Sequence, residues 1–229
     1  MNKEDTFILL EEKFLTYKDL KNISVVENGS PLVSLAHLGI QFTLLDGLIT
    51  PSTGCEILVR DAVAQKLREA QLYLDSLMSG CSLDVVYGYR SLKVQTDSYQ
   101  NIRREISDAS PDLISEEELN ETIHKFIAVP DVAGHPTGGA VDVRILDKSG
   151  KELNMGTKAH DFVKESYTFN PFVTKEIWLN RQKLRQVMLS VGFAPFDGEW
   201  WHFSYGDREW AAYYNRPNAI YGQLEINDP

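Results

Sequence analysis

Two cysteines, Cys55 and Cys81, are all that this 229-residue chain carries. One bridge at most cannot staple a fold, and a chain this long buries about 70% of its unfolded surface without such help. The expectation is two buried thiols in a reducing compartment. No run of about 18 apolar residues occurs, so no membrane-spanning helix is expected. Behind Met1 only four apolar residues, Phe7 to Leu10, stand together before Glu11, too few for a secretory signal. The expected location is the cytoplasm. Positive charge is scarce as well: 23 Lys and Arg against 33 Asp and Glu give a net charge of −10. A nucleic-acid partner, which needs a basic face, is not expected. Repeats and low-complexity tracts are absent, leaving an ordinary globular composition with 43% hydrophobic residues.

The hydrophobic spacing supplies the elements. Val59, Val63, Leu67, Ala70, Leu74 and Leu77 recur at three- and four-residue steps and predict a helix over 59–79 that stops at Gly80. Further helices are expected over 92–106, from Ser115 (Ser-Glu-Glu-Glu fits a reciprocal capping box) and over 176–191. Strands are expected at 83–87, 141–146 and 199–205, with a turn at Asp147–Gly150. Late strands joined by turns imply an α+β fold with a mostly antiparallel sheet. The chain reads as one domain, 1–229, with residues 1–35 as a peripheral N-terminal segment.

Histidine is scarce too, five in all, and two of them stand in unusual company. His135 lies in Ala-Gly-His-Pro-Thr-Gly-Gly, a stretch that suits close backbone approach rather than helix or strand. Asp142 follows as the second residue of the 141–146 strand. His202 lies in Gly-Glu-Trp-Trp-His-Phe, where Glu199 shares its cavity only if it stands before the regular strand, since strand side chains alternate. His135, Asp142 and His202 make a two-nitrogen, one-oxygen ligand set of the kind that holds catalytic zinc and leaves a position for water. Glu199 is placed to carry the proton, and Arg90, after Gly88 at a strand end, to neutralise an oxyanion. His37 and His124 have no companion ligands and read as structural. Trp200 and Trp201 read as core, and the charged runs Arg103–Glu105 and Glu116–Glu118 as solvated helix faces.

Tyr87-Gly88-Tyr89-Arg90, His135-x6-Asp142 and Glu199-Trp200-Trp201-His202, in this order, resemble the D-alanyl-D-alanine dipeptidases among the zinc-dependent DD-peptidases and hedgehog-like domains. Met155-Gly156 and the helix Asn180-Arg181-x2-Leu184-Arg185-x2-Met188 are similar to that family as well. The likeness covers roughly 40–215. It implies a small α+β domain with a central antiparallel sheet, one zinc ion held by His135, Asp142 and His202, Glu199 as general base and acid, and Arg90 stabilising the transition state. It also implies that Asp161 holds a dipeptide's free amino group, although the family spacing from Met155-Gly156 falls on His160. The family serine shortly before the metal histidine is missing here, where Ala133-Gly134 stand. The expected activity is hydrolysis of D-Ala-D-Ala or a related D-residue dipeptide of cell-wall metabolism. The alternatives are a carboxypeptidase or endopeptidase acting on peptidoglycan stem peptides, with an open groove, and a non-catalytic zinc-containing binding module. A dipeptidase cavity should be walled by the segment 150–175, through Phe162, Tyr167, Phe169 and Phe172.

Overall fold

The computed structural model describes residues 2–45, 55–109 and 115–226. Two short N-terminal helices, α1 (Lys3–Glu11) and α2 (Tyr17–Lys21), precede three short strands, β1 (Ser24–Val25), β2 (Leu32–Ser34) and β3 (Leu58–Arg60). Then come α3 (Asp61–Leu77), β4 (Ser82–Tyr87), α4 (Leu92–Ala109), α5 (Glu116–His124) and β5 (Ala140–Leu146). The chain closes with α6 (Lys175–Ser190), β6 (Ala194–Pro195), β7 (His202–Ser204), α7 (Arg208–Tyr213) and β8 (Asn218–Ala219). The fold is α+β. Its central sheet is antiparallel throughout, in the order β4-β5-β7-β6.

One face of this sheet is covered by α3 and α6. Val63, Leu67 and Leu74 of α3 and Leu184, Val187 and Met188 of α6 meet Val85, Val143 and Ile145 in a core from which water is excluded. Trp200 and Trp201 are buried in the same core, as their sequence context implies. A second apolar cluster joins α2, α4 and α5 through Leu20, Tyr99, Leu119 and Ile123. The Ser115 capping box forms as expected: Glu118 N donates to Ser115 Oγ, and Ser115 N donates to a Glu118 carboxylate oxygen at 2.8 Å.

Three expectations need correction. The helix expected over 59–79 begins at Asp61, because the β-branched Val59 pairs with Val33 in the β2–β3 ladder before the helix starts. The strand expected over 199–205 shrinks to His202–Ser204, since the amides of Glu199 and His202 are spent on a turn, donating to the Phe196 and Glu199 carbonyls. The thiols are not buried: Cys55 is exposed and Cys81, in the turn between α3 and β4, is half-buried, and both are free. Among the described residues no helix is long and apolar enough to cross a membrane.

Residues 2–35 are wired into the rest of the chain. Phe7 and Phe14 pack edge-on against Tyr167, β1 pairs with β8, and Leu35 enters the main core. Of the four aromatics expected to wall the cavity, Phe162 alone lines it. Tyr167 and Phe172 are turned away to receive Phe7, and the Phe169 ring lies under the Arg185 guanidinium.

Candidate active site

Sheet register makes the site. Asp142 on β5 is directly opposite Tyr87 of β4 on one side and His202 of β7 on the other. Residues opposed in an antiparallel ladder project from the same face with their Cβ atoms about 5 Å apart. Three chemically active side chains therefore form one row across the sheet. His202 Nδ1 lies 3.1 Å from Asp142 Oδ1.

His135 reaches the same row from outside the sheet. It opens a short 3-10 turn, His135–Thr137, that ends in Gly138 at φ +71°. A side chain there would adopt the left-handed region, and its Cβ would meet Leu32 Cδ2 at 2.4 Å, so the position favours glycine. The His135 Nδ1 donates to the Gly88 carbonyl at 2.8 Å. A carbonyl only accepts, so the ring's proton is on Nδ1 and the Nε2 lone pair faces Asp142 Oδ1, 3.5 Å away. Gly88 approaches equally tightly: a Cβ on it would fall 2.6 Å from the Leu58 carbonyl oxygen.

One ligand atom each from His135, Asp142 and His202 lies within 4.8 Å of the others. These groups fit a divalent cation. Two imidazole nitrogens and a carboxylate oxygen converge, and the remaining atoms of each group are already engaged. Gly88 holds His135, Glu209 Oε2 lies 3.2 Å from His202 Nε2, and His160 Nε2 lies 2.7 Å from Asp142 Oδ2. Burial opposes ionisation of Asp142, yet His135 beside it and the hydrogen bond from His160 hold its carboxyl well below the usual range. Burial keeps His135 below the ordinary histidine value, which favours the neutral ring that binds metals.

Glu199 stands in the turn just before β7, the position that lets it share a cavity with His202. Burial pushes its carboxyl up to about 7. A carboxylate poised there is suited to taking and returning a proton near neutrality. Arg90 lines the same cavity. Its Nε donates to the Tyr87 hydroxyl at 3.2 Å, its Nη1 donates to Gln95 Oε1 at 2.9 Å, and its guanidinium lies 4.8 Å from the centre of the Tyr87 ring. Gln95 is itself buried and anchored on the Ala128 carbonyl, so the cation is held from two sides.

Asp161 is not brought to this group. It is exposed, and its carboxylate accepts from the Lys158 amide at 2.9 Å. The preceding residue turns in instead: His160 adopts φ +68°, which swings its ring onto Asp142. Spacing does not reveal Glu209 as a member of the site; the family spacing does fall on His160, but the resemblance assigns the role to Asp161. Gln95 and the buried His124, whose Nδ1 accepts from the Val129 amide, also line the cavity. His37, by contrast, is exposed.

A family model described as D-Ala-D-Ala dipeptidase, peptidase M15, matches residues 40–220. The chain belongs to this family. A D-alanyl-D-alanine dipeptidase of Synechocystis sp. (strain ATCC 27184 / PCC 6803 / Kazusa) is 30% identical over 196 residues, 73% of this chain and 79% of that protein. The D-alanyl-D-alanine dipeptidase of Escherichia coli (strain K12) is 32% identical over 71 residues, 31% of this chain and 37% of that protein. Among solved structures, the LdcB LD-carboxypeptidase covers 81% of this chain and 72% of its own, at 19% identity and a TM-score of 0.46. The D,D-pentapeptidase VanY in complex with Zn(II) covers 82% and 89%, at 17% identity and a TM-score of 0.40. This member of the dipeptidase family is a metallopeptidase acting in cell-wall peptide metabolism.

Proposed function

We propose that the protein is a zinc-dependent peptidase that hydrolyses D-Ala-D-Ala or a closely related D-residue dipeptide. The observation that carries this reading is the convergence of His135, Asp142 and His202 with Glu199 and Arg90 on one cavity. The family relatives named D-alanyl-D-alanine dipeptidase support the same substrate.

In this reading His135, Asp142 and His202 hold one zinc ion per chain. Bound there, zinc supplies a Lewis acid that lowers the pKa of water from 15.7 toward about 7. Glu199 accepts the proton of the attacking water and passes it to the leaving amine. Arg90, fixed by Tyr87 and Gln95, meets the negative charge that develops on the scissile carbonyl oxygen. The His160 and Phe162 rings line the cavity beside the reacting groups, with Tyr87 edge-on to His160.

The test is hydrolysis of L,L, L,D and D,D dipeptides by the zinc-loaded and the chelated protein, with Glu199→Gln alongside. Expected are turnover of D-Ala-D-Ala that needs metal, and a Glu199→Gln protein that keeps its zinc and loses about 10²–10⁴ in kcat or more. Near-normal turnover by that variant would remove Glu199 from the mechanism. Turnover that survives chelation would remove the metal.

A further inference from the structure

His135 stands outside the central sheet, so no strand ladder holds the backbone that delivers it. The polar groups of such a segment must still find partners. Several of them find the stretch of chain that follows β8. Gln223 Nε2 donates to the Pro130 and Ala133 carbonyls, just before His135. The Leu224 amide donates to the Pro136 carbonyl at 2.8 Å, just after it. The stretch thus grips the His135 turn on both sides of the imidazole.

It also holds a second part of the site. Tyr89 stands between Gly88, whose carbonyl receives the His135 ring, and Arg90. The hydroxyl of this buried tyrosine donates to the Leu224 carbonyl at 2.8 Å and accepts from the Ile226 amide at 3.4 Å. Leu224 therefore bonds the metal turn through its amide and the Arg90 corner through its carbonyl. Upstream the stretch has an anchor of its own. β8 pairs with β1, and Gly222 donates to Glu27 Oε2 at 2.6 Å and accepts from Arg60 Nη2 at 3.0 Å. All these are directional bonds, whereas a cover that only excluded water would need none.

We propose that residues 222–226 form a brace that sets the position of Arg90 relative to the His135 turn, with Tyr89 and Gln223 as its positioning residues. Neither side chain lines the cavity, so each acts through the backbone it holds, Tyr89 through Arg90 and Gln223 through His135. Placement of this kind matters most in the transition state, where a displacement of about 1 Å can cost about 10² in rate. This inference rests on the metallopeptidase reading of the site, and adds to it what fixes the distance between its two halves.

The experiment uses Tyr89→Phe, which removes one hydroxyl, and Gln223→Met, which removes the side-chain amide at nearly the same length. Competition with a chromophoric chelator reads zinc affinity, and hydrolysis of D-Ala-D-Ala by the zinc-loaded proteins gives kcat and KM. Gln223→Met is expected to bind zinc about three- to tenfold more weakly, less than the 10- to 100-fold effect of removing a direct partner of a ligand. Both variants should lose about three- to tenfold in kcat with KM within about twofold, the pattern of an interaction made only in the transition state. The double variant should lose about as much kcat as the worse single one, because both changes release the same brace. Single variants whose kcat and zinc affinity stay within about twofold of the parent overturn the inference. Losses that multiply in the double variant overturn it as well, since the two bonds would then act independently. If the parent itself binds no zinc or leaves D-Ala-D-Ala intact, the metallopeptidase reading fails and the brace with it.

Discussion

Glu209 Oε2 lies 3.2 Å from His202 Nε2, on the opposite side of the ring from Asp142. A carboxylate only accepts, so this contact keeps a proton on Nε2 and reserves Nδ1 for whatever lies between His202 and Asp142. Glu209 is in the first turn of α7, whose amino end is capped by Asp207 through the Trp210 amide at 2.9 Å. The helix thus fixes the angle at which the carboxylate meets the ring. Glu209→Gln is expected to weaken zinc binding about 10- to 100-fold, the usual effect of losing a partner behind a ligating histidine. Competition with a chromophoric chelator measures it. Unchanged affinity would reduce Glu209 to a wall of the cavity.

Arg181 is completely buried on α6 and meets no carboxylate among the described residues. Its guanidinium donates instead to the carbonyls of Met155, Tyr167 and Glu165 at 2.6–2.9 Å. Burial pushes its pKa down to about 10, so it stays charged at neutral pH. It therefore pins the segment between β5 and α6 that carries His160. Arg181→Met would orphan the Met155 carbonyl, at about 1–3 kcal/mol where it stays dry, and leave the Tyr167 and Glu165 carbonyls with only their bonds from Asn170. A loss of about 1–3 kcal/mol corresponds to a fall in Tm of about 2–12 °C for a chain this size. Calorimetry reads the loss, and proteolysis should cut first within 153–170. A shift under 2 °C would show that the segment holds itself.

These two residues illustrate what the sequence discloses and what it hides. The candidate ligands were legible less from any one motif than from their order along the chain: a histidine in a glycine-rich turn, an acid seven residues on, and Glu-Trp-Trp-His after Gly-Tyr-Arg. The strands bearing Asp142 and His202 were legible from their apolar content, and their register then did the rest. Asn180-Arg181 and Met155-Gly156 were visible only as motifs. The structure explains them together, since Asn180 and Arg181 bond the backbone of Asn154 and Met155. Glu209 was hidden because it lies seven residues beyond His202, on a helix of only six residues that carries no periodic signal. His160 is passed over because the family position calls for an aspartate, so the role goes to its neighbour Asp161 although the spacing falls on His160, whose inward orientation depends on a left-handed conformation that non-glycine residues seldom adopt. For α4 the sequence offers grounds only for a helix over 92–106, with Arg103–Glu105 as a solvated face. Only the placement of Phe126 and Phe162 opposite it leaves a groove.

The amino-terminal helix should respond to acid. Glu11 at the end of α1 accepts from the Tyr167 hydroxyl and from Lys125, both at 2.9 Å. Burial alone would raise its carboxyl, but Lys125 and Tyr167 outweigh that and hold it below the ordinary 4.5. A group whose folded value is lowered adds stability above its unfolded value and loses it as pH falls through the folded one. The clasp is therefore complete above about pH 5 and weakens progressively below 4.5. Glu11→Gln should lower stability by about 1–2 kcal/mol at pH 7 and by less at pH 3, because protonation has already removed the charge there. Urea melts at the two pH values test this. Equal losses at both would show that the carboxylate's charge contributes nothing.

Gly138 offers the sharpest test of how the turn delivers His135. It occupies the left-handed region, and a Cβ would come within 2.4 Å of Leu32 Cδ2. Gly138→Ala therefore carries about 1–3 kcal/mol of backbone strain together with a steric overlap against β2. The turn relieves both by shifting, and the residue it displaces is His135, whose carbonyl accepts from the Gly138 amide at 3.0 Å. The expected variant folds, melts several degrees lower and binds zinc at least tenfold more weakly. Ser34→Ala, in the same strand as Leu32 but without this contact, should leave metal affinity alone. If Gly138→Ala lowers Tm yet binds zinc as tightly as the parent, the turn stabilises the fold without aiming the imidazole.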